Sequence, residues 1–588
     1  MRAWPIVVIA AVLPLWLVGL FGRVYWTPDE PREADIAWHM TSQPDKSVPE
    51  LAGKPFAEKP PLAYWIAAAS MSAFGPTPGA ARLPNLLYAV ISVLAIGALA
   101  NAARGRQAAV IAGVAAASFL LAYQVSIWLA TDAPLVAGVS VALLGLYRGL
   151  AADRGRAKFA WYTLMHLGML GGFLAKSAVA WMVPGLAFLV LILWERRWHE
   201  LKCWELYAGL LLQFAGIALW IWNVAQRSDG SELLRALFWY NLIGRFMTVQ
   251  APAAYEYTSG HHNWLGKYLM QAPGFLAPWT LLAVAAGRYA YLRLRTGIAG
   301  DLPWKFALAV IVPSALLLSS SATARGIYLA PVLPAVGLLI GLWASERLSA
   351  PDRAEMGLLR ASAWLVIGVI GMAAMVTLLM IVGARGSTGF HTLGAVGAIA
   401  GCLGAAALVV AARRRMNSGA PYAGLVRLYV AYAVLVTGAG AFLFPIISGW
   451  QDLRQVAAEV HDHIGSSHLV LYQPDETTIA MLDYDSSGPP PVGISGTDEG
   501  AAQAQVRALL ASDASLHVLV QLPGHAPGPF TDALHRWHLA PGARDPLPAS
   551  SAARLCAALG LSVQQEIELP EGRRYVLLAR NPSEAGVL

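Results

Sequence analysis

The sequence predicts an α-helical polytopic membrane protein with a small α/β domain outside the membrane. Three observations point there. Hydrophobic residues fill 57% of the 588 positions and charged residues only 13%, against about 25% charged in soluble chains. The apolar residues gather into runs of the length a bilayer-crossing helix needs, roughly 17–25 residues. Beyond about residue 450 the hydropathy falls and does not recover. The formal charge of +7 does not indicate a nucleic-acid partner, because the basic residues sit in short loops between apolar runs, where the positive-inside rule puts them. Cys203, Cys402 and Cys556 are scattered and give neither a metal spacing nor a disulfide framework.

The first run, 4–22, ends in Trp-Leu-Val-Gly-Leu-Phe-Gly-Arg rather than in a small-residue cleavage site, so it reads as a retained span. Further runs lie near 81–103, 107–127, 131–150, 160–176, 178–194, 204–224, 264–287, 305–322, 327–345, 358–383, 391–412 and 424–448, about thirteen spans in all. Loop charge sets their orientation. The loops after the second, fourth, sixth, eighth, tenth and twelfth spans carry clusters such as Arg104 and Arg106, Arg196 and Arg197, or Arg413, Arg414 and Arg415. The alternate short loops carry Lys176, Arg325 or Arg385 singly, or no basic residue. The clustered loops and the N-terminus are therefore expected in the cytoplasm, and the tail outside.

Two outward segments are long, 23–80 and 225–263. The first contains "PPLAYWIAAASMSAFG", too short to span and rich in aromatics, which reads as an interfacial helix. The domains expected are 1–449 in the membrane, with these two loops, and 450–588 outside it. In the tail "DLRQVAAEVHDHI" and "AQAQVRALLA" read as helices, and "HLVLYQ", "LHVLVQL" and "RYVLLAR" as short buried strands.

Just after the first run, Asp29, Glu30, Arg32, Glu33 and Asp35 fall within seven positions. Thr27-Pro28-Asp29-Glu30 fits a capping box, with threonine at the N-cap, proline first in the helix and an acid at N3. That reading leaves Asp29 without a task. Other ionisable groups share its side of the membrane: Glu58, Lys59, Asp132, Lys176, Arg245, His261, His262, and Arg325 with Tyr328. Polar groups at membrane depth are costly and commonly functional. Each has a structural alternative: Asp132 as a helix cap, Lys59 reaching to headgroups, the His261-His262 pair in solvent. The conjunction at one face argues for one extracytoplasmic site. Cations at an interface suit phosphate, with arginine offering a bidentate fork. Carboxylates suit a general base, or a partner for developing positive charge. Group transfer from a lipid phosphate uses both.

"WTPDEPREADIAWHM" with "VPELAGKPFAEKPPLAYW", "LATDAPLVAG", "LAKS", "LFWYNLIGRF" and "APGFLAPW" resemble stretches of the bacterial lipid A aminoarabinose transferases, within the protein mannosyltransferase superfamily. The resemblance covers about residues 20–345. It implies a C-type glycosyltransferase fold, and inverting transfer of a sugar from polyprenyl phosphate to a lipid A phosphate at the periplasmic face of the inner membrane, an activity tied to polymyxin resistance. By position it implies Asp29 and Asp132 as catalytic carboxylates. Lys59, Lys176, Arg245, Arg325, Tyr328 and Glu30 become substrate-binding candidates. No cofactor follows from the resemblance; whether a divalent metal is used stays open, with Glu58 and His262 the pair that could share one, and a monomer is expected. One stretch departs from the family: Ala324-Arg325-Gly326-Ile327-Tyr328 stands where the aminoarabinose enzymes carry a Lys-Leu-Pro-Thr-Tyr-like stretch. A transferase for another lipid-linked sugar, or for a protein hydroxyl, is the nearest alternative. A transporter or flippase would place its charges near helix midpoints and break its helices there; here they crowd at the outer ends.

Overall fold

The computed structural model describes residues 3–245, 247, 249–250, 264, 266–297, 301–321, 325–383, 389–484, 490–494, 499–513, 515–522 and 550–580. The first helix, α1 (Trp4–Leu20), leads into a loop region built of α2 (Asp29–Ser42), a small hairpin of β1 (Glu50–Leu51) and β2 (Lys54–Pro55), and α3 (Leu62–Phe74). The apolar α3, at 13 residues, is the short helix expected at the interface. Thr77 caps the next helix, α4 (Pro78–Arg104), by accepting from the Ala80 amide, with proline at its first position. Then follow α5 (Arg106–Ser118), α6 (Leu120–Ile127), α7 (Asp132–Ala151), α8 (Arg156–Lys176), α9 (Val179–Glu195) and α10 (Trp204–Ala225). The segment after α10 holds, among its described residues, α11 (Gly230–Arg235), a π-helical turn over Ala236–Leu242 and a 3-10 turn over Ile243–Arg245.

The bundle is completed by α12 (Lys267–Phe275), α13 (Thr280–Arg295), α14 (Leu302–Ser320), α15 (Leu333–Arg347), α16 (Arg353–Gly383), α17 (Thr392–Asn417) and α18 (Pro421–Trp450). Among the described residues the expected apolar runs fall on these helices or on bent pairs, and the run at 327–345 falls on a 3-10 helix (Gly326–Val332) that continues into α15 as one span. Among the described residues, eight helices are long and apolar enough to cross a membrane, or ten if each of two bent pairs counts as one span. The pairs are α5 with α6, bent by 67°, and α12 with α13, bent by 115°. The other expected spans are α8 and the two 17-residue helices α1 and α9.

Small residues set how closely the site-bearing helices pack. A Cβ on Gly138 of α7 would stand 2.7 Å from the Gly168 carbonyl of α8, and one on Gly145 only 2.4 Å from the Met165 amide. The two backbones touch, as glycine-lined membrane interfaces allow. This contact holds the N-terminus of α7, with Asp132, beside the C-terminus of α8, with Lys176.

Beyond α18 the tail folds as α19 (Leu453–Ile464), β3 (Leu469–Tyr472), α20 (Glu476–Tyr484), β4 (Val492–Ile494), α21 (Glu499–Ser512), β5 (His517–Gln521), α22 (Ser550–Leu559), β6 (Leu561–Glu568) and β7 (Arg574–Arg580). The sheet runs β4-β3-β5-β7-β6. β3 pairs in parallel with β4 and β5, and β7 is antiparallel to β5 and β6. Strand alternation divides the side chains. Leu469 and Leu471 face a core with α19, α20 and, from the loop region, Ala34 and Ala37 of α2. Val470 and Tyr472 face α21 and α22. The tail therefore rests on α2.

Candidate active site

The site is assembled around α2. Asp29, Arg32 and Glu33 stand at i, i+3 and i+4 of that helix, one face, and all three line a cleft. The empty volume of the cleft, its open mouth included, is about 1190 Å³. Asp132, Lys176, Glu58, Lys59, Arg325 and Tyr328 line it too. Most of the remaining wall is apolar, with Leu135, Val179, Met182, Leu237 and Ile327 among its side chains.

Its charges are paired. Both Asp132 carboxylate oxygens accept from Lys176 Nζ at 2.6 Å. Arg325 Nη2 donates to Asp29 Oδ2 at 3.0 Å and Oδ1 at 3.3 Å. Lys59 Nζ donates to Glu33 Oε1 at 2.5 Å. Burial alone would lower the Lys59 pKa, but the carboxylates of Glu33 and Glu58 outweigh it and raise it, so the ammonium stays charged. Arg32 Nη2 lies 2.9 Å from Glu476 Oε2 of the tail and 3.8 Å from Glu58 Oε2. Lys176 Nζ also sits 5.6 Å from the centre of the Tyr328 ring, within cation–π range. The π-helical turn aims Asn241 at the Glu58 carbonyl, to which it donates at 2.6 Å. Next to Lys176, Ser177 takes φ +65°, ψ −159°, a region that glycine alone adopts freely.

Several expectations change. Glu30 is not a ligand-binding group: it is fully buried and its oxygens are taken by Arg23, Arg82 and the backbone amides of Trp26 and Leu129. Burial alone would raise its carboxyl, but the Arg82 and Arg23 charges and hydrogen bonds outweigh it and hold the pKa at about 2. Nor does the capping box form. Helix α2 starts at Asp29 with no side-chain cap, because the Thr27 hydroxyl is drawn to Gln451 and Glu571 of the tail side. Asp132 is the first residue of α7 and does not cap it. Arg245 closes the 3-10 turn Ile243–Arg245, and its side chain, like His261 and His262, lies outside the described residues. Of the candidate metal pair only Glu58 is described, and its carboxylate faces Arg32. Arg32 and Glu33 join the site although no motif marks them; their spacing from Asp29 is the signal that puts them on its face.

A model of the dolichyl-phosphate-mannose-protein mannosyltransferase family matches residues 58–222. Full-length superposition on the crystal structure of ArnT from Cupriavidus metallidurans bound to undecaprenyl phosphate gives a TM-score of 0.71 at 18% identity, covering 100% of both chains. The fold is that of ArnT. Sequence similarity agrees with this ArnT-like architecture. The undecaprenyl phosphate-alpha-4-amino-4-deoxy-L-arabinose arabinosyl transferase of Pseudomonas paraeruginosa is 29% identical over 352 residues, 60% of this chain and 61% of the relative. That of Edwardsiella ictaluri is 28% identical over 384 residues, 65% of each chain. The matches thus span about three fifths of the length of these relatives.

Proposed function

We propose that this ArnT-like protein is an inverting glycosyltransferase. It moves 4-amino-4-deoxy-L-arabinose from undecaprenyl phosphate to a lipid A phosphate at the periplasmic face of the bacterial inner membrane, acting as a monomer. The observation that carries this reading is the convergence of the Asp29–Arg325 and Asp132–Lys176 pairs on a cleft with an apolar wall. The wall receives the prenyl chain. Lys176, Arg325 and Lys59 hold the donor phosphate, which leaves with the electron pair of the broken C–O bond. An oxygen of the acceptor phosphate forms the new bond from the opposite face of the sugar carbon. That oxygen is already ionised near neutral pH, so no proton need be abstracted. Asp29 then stabilises positive charge growing on the sugar carbon, and Asp132 orients Lys176. The alternating arginine clusters support the orientation, with 1–449 the membrane domain and 450–588 the periplasmic one. A cationic sugar on lipid A lowers its negative charge, which accords with a role in polymyxin resistance.

Asparagine keeps shape and an acceptor oxygen while removing charge. Asp29→Asn and Asp132→Asn are expected to insert and purify normally but to transfer sugar about 10²–10³-fold more slowly, the range for losing one preorganised electrostatic group. Transfer is measured with a purified undecaprenyl-linked donor, and product by mass spectrometry of lipid A. Full activity in Asp29→Asn would sink the catalytic reading. A different sugar on the acceptor would overturn the aminoarabinose assignment.

A further inference from the structure

Away from the cleft, at the other end of α2, three ligating side chains meet across the seam with the tail. Asp35 and His39 are spaced i, i+4 on α2, the spacing that puts two metal ligands on one helical face. Asp483 comes from α20. Their ligand atoms all lie within 4.8 Å of one another, the one such group of three His, Cys, Asp or Glu residues among those described. His39 Nε2 is 2.6 Å from Asp483 Oδ2 and 3.6 Å from Asp35 Oδ1.

Asp35 is the telling member. Its side chain is 0% exposed. Its Oδ2 accepts from the Ala52 amide at 2.7 Å, while its Oδ1 is buried without a hydrogen-bond partner. The Ala52 amide is held in place by the turn of the β1–β2 hairpin, where Ala52 and Gly53 take φ of 48° and 70°. That oxygen has His39 Nε2 at 3.6 Å, beyond hydrogen-bond reach; a buried carboxylate oxygen that accepts no hydrogen bond is costly, and nothing in the proposed transfer reaction uses it. A cation between these groups would satisfy it, and the Ala52 amide would fix the ligand's orientation as an outer-shell donor does.

We propose that Asp35, His39 and Asp483 form a divalent-cation site that clamps the tail to the helix carrying the cleft. One imidazole with two carboxylates suits zinc better than magnesium or calcium. Tetrahedral zinc, with bonds of about 2.0–2.2 Å, sets its ligand atoms roughly 3.3–3.6 Å apart. The Asp35–His39 spacing already fits, and the His39–Asp483 contact opens by less than about 1 Å. His39, 20% exposed, leaves a route in from solvent. The bound ion joins α2, with Asp29 and Glu33, to α20, with Glu476.

The test uses the full-length protein in detergent, stripped with chelator and titrated with zinc. Bound metal is counted by mass spectrometry, affinity read by calorimetry and the unfolding midpoint followed in parallel. Zinc is expected to bind the wild type and raise its midpoint. His39→Gln and Asp483→Asn are expected to lose one equivalent, with affinity down at least about tenfold, the least that loss of even an outer-shell group brings. Glu58→Gln, at the other candidate metal position, is expected to keep that equivalent. Asp35→Asn preserves shape and serves where another variant folds poorly. Unchanged zinc content and midpoint response in all three ligand variants would overturn the proposal, as would a wild type that takes up no zinc.

Discussion

At the scale of single residues, Glu30 shows how a legible carboxylate can be misassigned. Its position beside Asp29 suggested a substrate contact, or at least a replaceable cap. Instead it neutralises Arg23 and Arg82 in full burial. Removing one member of such a cluster strands the others, at about 3–5 kcal/mol. Glu30→Gln is therefore expected to lower the unfolding midpoint in detergent sharply, whereas Asp29→Asn leaves it nearly unchanged. The sign of the pH dependence follows from the depressed carboxyl. Its stabilisation is present above the unfolded value of 4.5 and is lost as pH falls through about 2, some 3 kcal/mol in all by linkage. Acid unfolding of the wild type should show this loss, and the Gln variant should lack it. Ser177 makes a second residue-scale case. Its backbone strain is worth on the order of 1–3 kcal/mol, so Ser177→Gly is expected to raise the midpoint, as differential scanning would register. That Asp29, Lys59, Asp132, Lys176 and Arg325 gather on one side of the bundle was legible in the sequence. Their pairing was not, because Arg325 and Asp29 stand 296 positions apart and only long-range packing brings them together.

Among the elements, the spans were the most legible part of the chain, since hydropathy alone marks a helix that must satisfy its backbone in lipid. Their close approach is written in glycines that hydropathy ignores. An alanine at Gly145 would drive its methyl into the backbone of α8 at Met165. Gly145→Ala is expected to destabilise by about 1–3 kcal/mol, the usual range for overpacking, and to weaken donor binding by parting Asp132 from Lys176. Gly171→Ala, whose added methyl would meet nothing within 4 Å, should be neutral; thermal unfolding of the two variants side by side separates the effects. In the tail, β3, β5 and β7 were legible as apolar runs. β4 was not, for it lies in a Gly/Pro/Ser-rich stretch and holds its place by pairing with β3. The edge strand β6 is largely solvent-facing, so its sequence lacks the apolar signal by which a buried strand announces itself.

The whole molecule is organised by the seam between loop and tail. Thr477 donates to the Pro28 carbonyl, Tyr484 to that of Pro76, and Thr27 to Gln451 and Glu571, around a shared apolar core. Ending the chain after residue 450 would bare that core and release Arg32 from Glu476. The truncated protein is expected to lose transfer activity and to show faster proteolysis in the 23–80 loop, which limited digestion followed by mass spectrometry would detect. The seam also explains why no motif betrayed the tail's part: among the described residues it reaches the cleft through Glu476, whose carboxylate stands 2.9 Å from the lining residue Arg32. One further property belongs to the cleft as a body of charge. Among the described lining residues, Asp29, Glu33, Glu58 and Asp132 balance Arg32, Lys59, Lys176 and Arg325. A cavity so balanced projects little field beyond a Debye length, about 8–10 Å in ordinary salt. It cannot draw an anionic headgroup from afar as a purely basic pocket does. For the proposed lipid donor, capture becomes an exchange of partners at contact range, after two-dimensional diffusion in the bilayer has delivered it, and added salt should hardly slow it.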